Sequence, residues 1–227
     1  MATLVSRWRF ENNYNDEVGN NHLTAAGSGN TFYEATRKEG VYALSFNASG
    51  YAIKSSGALG ISTGNADLSW GGWGYFPTVP NSPSMLFSFG TLASGQSWAS
   101  YFINNTTIRT TLDSLENGDI TVSLSNNTFY WFWFEYTAST KDLVSYVNNV
   151  SQGNHTFSNT PNIVNSIVAV GSEINGTSIS LTAYFDDYRI YNGVTSSAER
   201  SAIYSVSRAS FLKNPLRPRP FGPGLAR

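Results

Sequence analysis

Between Leu4 and Tyr191 the chain repeats one pattern: apolar side chains recur at every second position in short runs, and each run stops at a cluster of Gly, Asn, Ser or Pro. The runs are Leu4 to Phe10, Tyr42 to Phe46, Leu68 to Phe76, Met85 to Phe89, Trp98 to Ile103, Ile120 to Leu124, Phe129 to Tyr136, Leu143 to Val147, Ile167 to Val170 and Leu181 to Tyr191. A period of two puts alternate side chains on opposite faces of an extended strand. Short strands at this spacing, with turn chemistry between them, predict an all-β sandwich or jelly roll rather than a parallel α/β sheet. The length of 227 residues suits one such domain with an appendage.

Six Trp, 13 Tyr and 14 Phe in a chain only 13% charged supply ample apolar surface for an aromatic core. Cysteine is absent, which excludes disulfides, thiolate metal sites and a cysteine nucleophile. With 14 Lys plus Arg against 15 Asp plus Glu, the near-neutral balance argues against nucleic acid as a partner. No apolar run reaches membrane-spanning length, and strand-like sequence begins at Leu4-Val5. The expectation is therefore no membrane insertion, no secretory signal and synthesis in a cytoplasm.

After the last strand, Ser196-x-x-Glu199 has the form of a capping box and opens a short helix. Ala198, Ala202, Ile203 and Val206 share one helical face, which is expected to pack on the sandwich. The domain then spans residues 1–207, and residues 208–227 form a separate arm. In the arm Phe211, Leu212, Lys213, Pro215, Leu216, Arg217, Pro218, Arg219, Pro220 and Phe221 alternate proline, basic and apolar side chains, with no acid after Glu199. Proline fixes φ and lacks an amide donor, so this segment is expected to run extended and to tether the domain to an acidic surface.

Three stretches resemble the laminin-G-like (concanavalin-A-like) jelly-roll family. Tyr184-Phe185-Asp186-Asp187-Tyr188-Arg189-Ile190-Tyr191-Asn192-Gly193, followed by Ala198-Glu199, looks like the closing strand and helix of that family. Trp8-x-Phe10-Glu11-Asn12 leading to Asp16 and Gly19 is similar to its opening strand and loop, and Tyr42-Ala43-Leu44-Ser45-Phe46-Asn47 to an early strand. The resemblance implies a concanavalin-A-like jelly-roll β-sandwich with one short C-terminal helix and the extended Pro/Arg-rich arm. Lys213-Asn214-Pro215 and Pro218-Arg219-Pro220 further resemble a set of bacteriophage and prophage proteins. That implies a virion structural protein, a capsid decoration or tail appendage present in many copies and bound to other capsid or tail subunits.

Chemistry is sparse. A glycosidase on this scaffold needs two carboxylates flanking the scissile bond, yet the aromatic strand carries only Glu135, and Glu116 and Asp119 read as a turn. Asp186 and Asp187 are adjacent and are expected to face opposite sides of the sheet. His22 and His155 stand outside any nucleophile-elbow context, so no enzyme is expected. Two readings of Asp16 and Asp186 stay open. They could hold a structural Ca2+ with the oxygen-rich loop Asn12 to Gly19, as in some relatives, or they could be a turn-former and a buried carboxylate satisfied by loop amides. The aromatic surplus offers the last lead: Trp73, Tyr75 and Tyr101 are candidates for stacking surface glycans, the alternative being core or covered surface. A lectin-like adhesin is thus the second functional expectation beside the virion protein.

Overall fold

The computed structural model describes residues 1–34, 36–47, 49–54, 57–164, 167–174 and 181–213, the last eight by their backbone alone. In chain order the strands are β1 (Thr3–Trp8), β2 (Thr24–Ala26), β3 (Thr31–Tyr33), β4 (Ala43–Phe46), β5 (Tyr51–Lys54), β6 (Leu68–Phe76), β7 (Ser84–Gly90), β8 (Ser97–Asn104), β9 (Thr107–Leu112), β10 (Glu116–Thr121), β11 (Thr128–Thr137), β12 (Asp142–Val147), β13 (Val150–Thr156), β14 (Ile167–Val170) and β15 (Ala183–Asn192), followed by α1 (Ser197–Lys213). The first sheet has the order β13-β12-β11-β6-β15-β4-β3, with β1 beside β15; the second has the order β10-β9-β8-β7-β14-β5-β2. All pairings are antiparallel.

The sandwich expected from the alternation is present, and its core is aromatic. Trp70 on β6 stacks on Phe134 of its own sheet and on Trp98 of the facing sheet, both at 5.7 Å between centroids, and meets Phe89 edge-on at 5.3 Å. These four rings weld the sheets together by area and by ring geometry alike. Strands β2, β3, β5, β9 and β13 carried no expectation. The first three are only three or four residues long, and β13, Val-Ser-Gln-Gly-Asn-His-Thr, is a polar edge strand with no apolar face.

Glu116-Asn117-Gly118-Asp119, expected as a turn, is part of β10. Asp119 lies opposite Arg109 of β9 and pairs with it at 2.7 Å, so Asn117 and Asp119, which suggested a turn, occupy the solvent side of a strand. Glu116 has a second task. Its carboxylate accepts the amides of Ser158 and Asn159 at 2.9 and 3.0 Å and the Ser158 hydroxyl at 2.8 Å, with His155 Nε2 at 3.3 Å. These contacts pin the segment after β13, in the first sheet, to the edge of the second.

The capping box forms as expected: Glu199 accepts the Ser196 amide at 2.8 Å, and Ser196 Oγ accepts the Glu199 amide at 3.2 Å. The packed face of α1 differs from the expected one. Ile203 is buried and Tyr204 stacks on Trp73 at 5.5 Å, while Ala198 and Ala202 are exposed. The sheet beneath presents broad indole surfaces, which an isoleucine and a tyrosine cover and small alanines cannot. Val206 lies beyond the described side chains.

The helix also runs further than expected. Residues 208–213, assigned to the extended arm, are helical in backbone, so Phe211, Leu212 and Lys213 belong to the last turns of α1. Arg-Ala-Ser-Phe-Leu-Lys contains no helix breaker, whereas Pro215 disfavours the helical conformation one residue earlier. Pro215, Leu216, Arg217, Pro218, Arg219, Pro220 and Phe221 lie outside the described residues.

A bulge in β15 corrects the expected directions of the aspartates. Asp186 pairs with Trp73 and Arg189 with Gly71, so Asp187 and Tyr188 together oppose Gly72. Asp187 takes φ +48°, a left-handed conformation that Asp tolerates better than most side chains. A Cβ on Gly72 would stand 2.5 Å from the Tyr188 ring, so only glycine leaves room. The extra residue shifts the alternation, and Asp186 and Asp187 both meet residue 39 on the outer face while Tyr188 and Ile190 turn into the core.

Glu116 supplies a pH test of the sheet clamp. Burial works against ionisation, but the amides of Asn159 and Ser158 outweigh it and lower its pKa from 4.5 to about 2. A depressed carboxyl pKa contributes stability that is whole above 4.5 and is lost as pH falls to 2. Glu116→Gln is expected to destabilise the domain by about 1–2 kcal/mol at pH 7. Urea melts of both proteins across pH 2–7 should converge at the acid end; a gap that stays constant would contradict the assignment.

Candidate functional site

The outer faces of the two sheets differ in what the sequence leaves on them. On the first sheet, alternate positions of β6 and β11 send Trp73, Trp131 and Trp133 outward, and α1 covers them. Trp131 and Trp133 stack at 4.9 Å, Tyr204 lies against Trp73 and Trp131, and Trp133 Nε1 donates to Thr195 Oγ1 at 3.1 Å. Arg200 of α1 donates to both oxygens of Glu135, at 3.1 and 3.0 Å, and lies over the Tyr146 ring. Glu135 is therefore a buried anchor for the helix.

Trp73 is 1% exposed and has Lys38 Nζ 4.4 Å from its ring centre, so it offers no stacking surface. Tyr75 neighbours Phe129 and Tyr184 on the same outer face. Tyr101 is on β8, in the other sheet. The expected platform of Trp73, Tyr75 and Tyr101 is thus divided between opposite sides of the sandwich, because alternation fixes which face of its own strand a residue occupies but not which sheet the strand joins.

Beside the helix, the outer face of the first sheet is held by charge. Arg7 Nε donates to Asp187 at 2.7 Å and its Nη2 to Glu39 at 2.8 Å, and Arg189 Nη2 donates to Asp187 at 2.6 Å. Burial opposes ionisation of Asp187, but Arg189 and then Arg7 outweigh it and hold its pKa below the usual carboxylate range. Glu39 moves the other way, raised by burial and by its neighbour Asp187. Removing one member of such a network leaves a buried charge without its counterpart.

Asp16 and Asp186 stand in separate settings. Asp16 accepts the amides of Arg7, Val18 and Asn21 at 2.9, 3.0 and 3.2 Å, which folds the loop back on β1. Asp186 Oδ2 accepts the amides of Lys38 and Glu39, both at 2.6 Å, and burial pushes its pKa well above the usual range against those two bonds. Among the described residues no group of three His, Cys, Asp or Glu side chains is arranged to hold a metal. Asp186→Ala is expected to lower the melting temperature equally in calcium and in chelator, since it leaves the buried Glu39 amide and the partly buried Lys38 amide without their acceptor. A loss seen only in calcium would instead assign Asp186 to a bound ion.

The outer face of the second sheet is open. Ser97, Ala99 and Tyr101 alternate outward on β8, while Trp98 and Phe102 enter the core. Ala99 is opposite Ser88 of β7 and Thr111 of β9, so three small side chains in a row lower the surface across three strands. The result is a groove of about 210 Å³ walled by Tyr101 and by the loops carrying Leu92, Asp113, Ser114 and Glu173. Tyr101 is opposite Arg109, whose guanidinium is gripped by Asp119 at 2.7 and 2.8 Å. Asp119, then the Tyr101 oxygen, raise the Arg109 pKa against burial, and the row Tyr101–Arg109–Asp119 runs across β8, β9 and β10 at the edge of the groove. Asp113 and Glu173 make the groove acidic, and sequence reasoning missed both because they lie in loops far apart in the chain.

No protein-family model matches the chain, and no curated protein matches it. Solved structures do. Domain 4 of AbnA, a GH43 extracellular arabinanase from Geobacillus stearothermophilus solved in complex with arabinotriose, superposes with a TM-score of 0.71 at 15% identity over 89% of this chain and 98% of that one. The botulinum neurotoxin serotype G binding domain gives 0.69 at 16% identity over 90% of this chain. The binding domain of botulinum neurotoxin DC in complex with SialylT gives 0.68 at 11% over the same share. This chain spans about half the length of the neurotoxin domains, 51% and 52%. At these identities the likeness fixes architecture alone, and the architecture is an all-β jelly-roll sandwich.

Proposed function

We propose that the chain is a non-enzymatic carbohydrate-binding module whose ligand lies in the groove beside Tyr101. The groove itself carries this reading: a concave, hydroxyl-rich surface on a rigid sheet, with one aromatic ring fixed at its edge. Sugars present an apolar C–H face to such a ring and hydroxyls to the polar floor. A fold shared with an arabinotriose-bound domain supports the reading by analogy. A glycan array followed by calorimetric titration of the best ligand tests it. Tyr101→Ala is expected to weaken binding about tenfold, the equivalent of ~1.4 kcal/mol, with an unchanged melting temperature. Reducing-sugar release that disappears in Asp113→Asn would assign a hydrolase instead.

A second reading is favoured by one feature of the sequence, the acid-free Pro/Arg segment at the C-terminus. In it the chain is a laminin-G-like virion protein of phage type, tethered by residues 214–227 to capsid or tail subunits. Proline stiffness lowers the entropy lost on docking, and repeated copies add avidity. Removal of residues 214–227 is expected to leave a folded sandwich that no longer joins its assembly. Normal incorporation of the shortened protein would end this reading.

A further inference from the structure

We infer that the groove selects a neutral sugar residue bearing adjacent hydroxyls and rejects sugars that carry a carboxylate. The inference rests on the carbohydrate reading above and adds the ligand's charge and hydrogen-bonding chemistry.

The walls set the donor and acceptor character of the groove. Asp113 and Glu173 line the groove, and among the described lining residues no side chain is cationic. Arg109, opposite Tyr101 on β9, is outside this lining and has both its Nε and Nη2 committed to Asp119. A sugar carboxylate entering here would meet the acidic side chains of Asp113 and Glu173 and no cation among the described lining residues, and like charges brought together in a partly desolvated site are costly.

A carboxylate accepts hydrogen bonds and donates none, so the groove asks its ligand for donors. Adjacent sugar hydroxyls supply two at the spacing of one carboxylate, and such charge-assisted bonds are stronger than neutral ones. Asp113 is placed for this. It sits at the end of β9, and only the neighbouring Ser114 hydroxyl reaches it among the side-chain contacts described, at 3.2 Å.

Size narrows the ligand further. About 210 Å³ is smaller than the roughly 300–1,000 Å³ of pockets that enclose a drug-sized ligand. The groove therefore takes one ring of a glycan, with the rest of the chain outside. Ser88, Ala99 and Thr111 form the floor beneath that ring, and Tyr101 meets its apolar face.

The test is a glycan array of matched oligosaccharides that differ only in whether the terminal ring is glucose or glucuronate, galactose or galacturonate. Wild-type protein is compared with the Asp113→Asn, Glu173→Gln double variant, and melting temperatures confirm that both are folded. The expected result is a preference for the neutral member by about tenfold or more in the wild type. In the double variant the preference should shrink as neutral binding weakens and acidic sugars are admitted. Equal or tighter binding of the uronate members would overturn the inference and leave the carbohydrate reading standing, as would a preference that survives unchanged in the double variant. Binding of no member of either set would overturn both.

Discussion

The bulge at Asp187 is the constraint on which the first sheet depends. Inserting one residue into β15 opposite Gly72 turns Tyr188 into the core, where it meets Phe87 at 5.2 Å and Phe185 at 5.5 Å, and leaves Asp187 buried on the other side. A carboxylate in that position needs compensation, which Arg7 from β1 and Arg189 from β15 provide. The ion cluster therefore follows from a backbone decision. It ties the first strand, the last strand and the loop carrying Glu39 into one unit, and the same displacement brings Asp186 under the Lys38 and Glu39 amides. Buried ion networks are weak sources of net stability, so their contribution here lies mainly in fixing one register of β15 against β6.

That decision also separates the two outer faces by role. On the first sheet, bulky aromatics and buried charges require cover, and α1 and the loop around residues 38–39 supply it. On the second sheet the outward residues of the central strands are small or hydroxylic, so the surface can remain in water without a helix over it. Among the described residues Tyr101 makes no ring contact there, and this isolation turns a residue that would be core packing elsewhere into the wall of a groove. Functional surface on a sandwich of this kind arises where the sequence withholds bulk.

The architecture was legible because a two-residue period with turn clusters has few other solutions, and the Ser196/Glu199 cap was legible because its chemistry is local. Strand β10 was misread for the opposite reason: its polar residues have turn chemistry locally, and only the partner strand shows that Asp119 faces Arg109 across a ladder. The length of α1 was obscured by composition, since the prolines beyond it colour a segment whose helix formers extend to Lys213. Tyr101 was among the residues singled out for glycan stacking, but its grouping with Trp73 and Tyr75 failed because facing depends on long-range pairing. Asp113 and Glu173 left no signal at all, as they belong to a turn and to a loop some sixty positions apart.

The energetic logic of the open groove follows from what is already fixed before any ligand arrives. Arg109, opposite Tyr101, is held by Asp119, and the floor residues Ser88, Ala99 and Thr111 have few or no rotamers to lose, so binding orders little of the protein. A shallow site of this size can offer only a handful of contacts, so under the proposed carbohydrate reading the expected affinity for a single sugar ring is modest. Rigidity then matters more for discrimination than for strength, because a wall that cannot move cannot relax around a misplaced charge. Under the proposed reading, selectivity would reside in Asp113 and Glu173, which line the groove whose shape the sheet beneath sets.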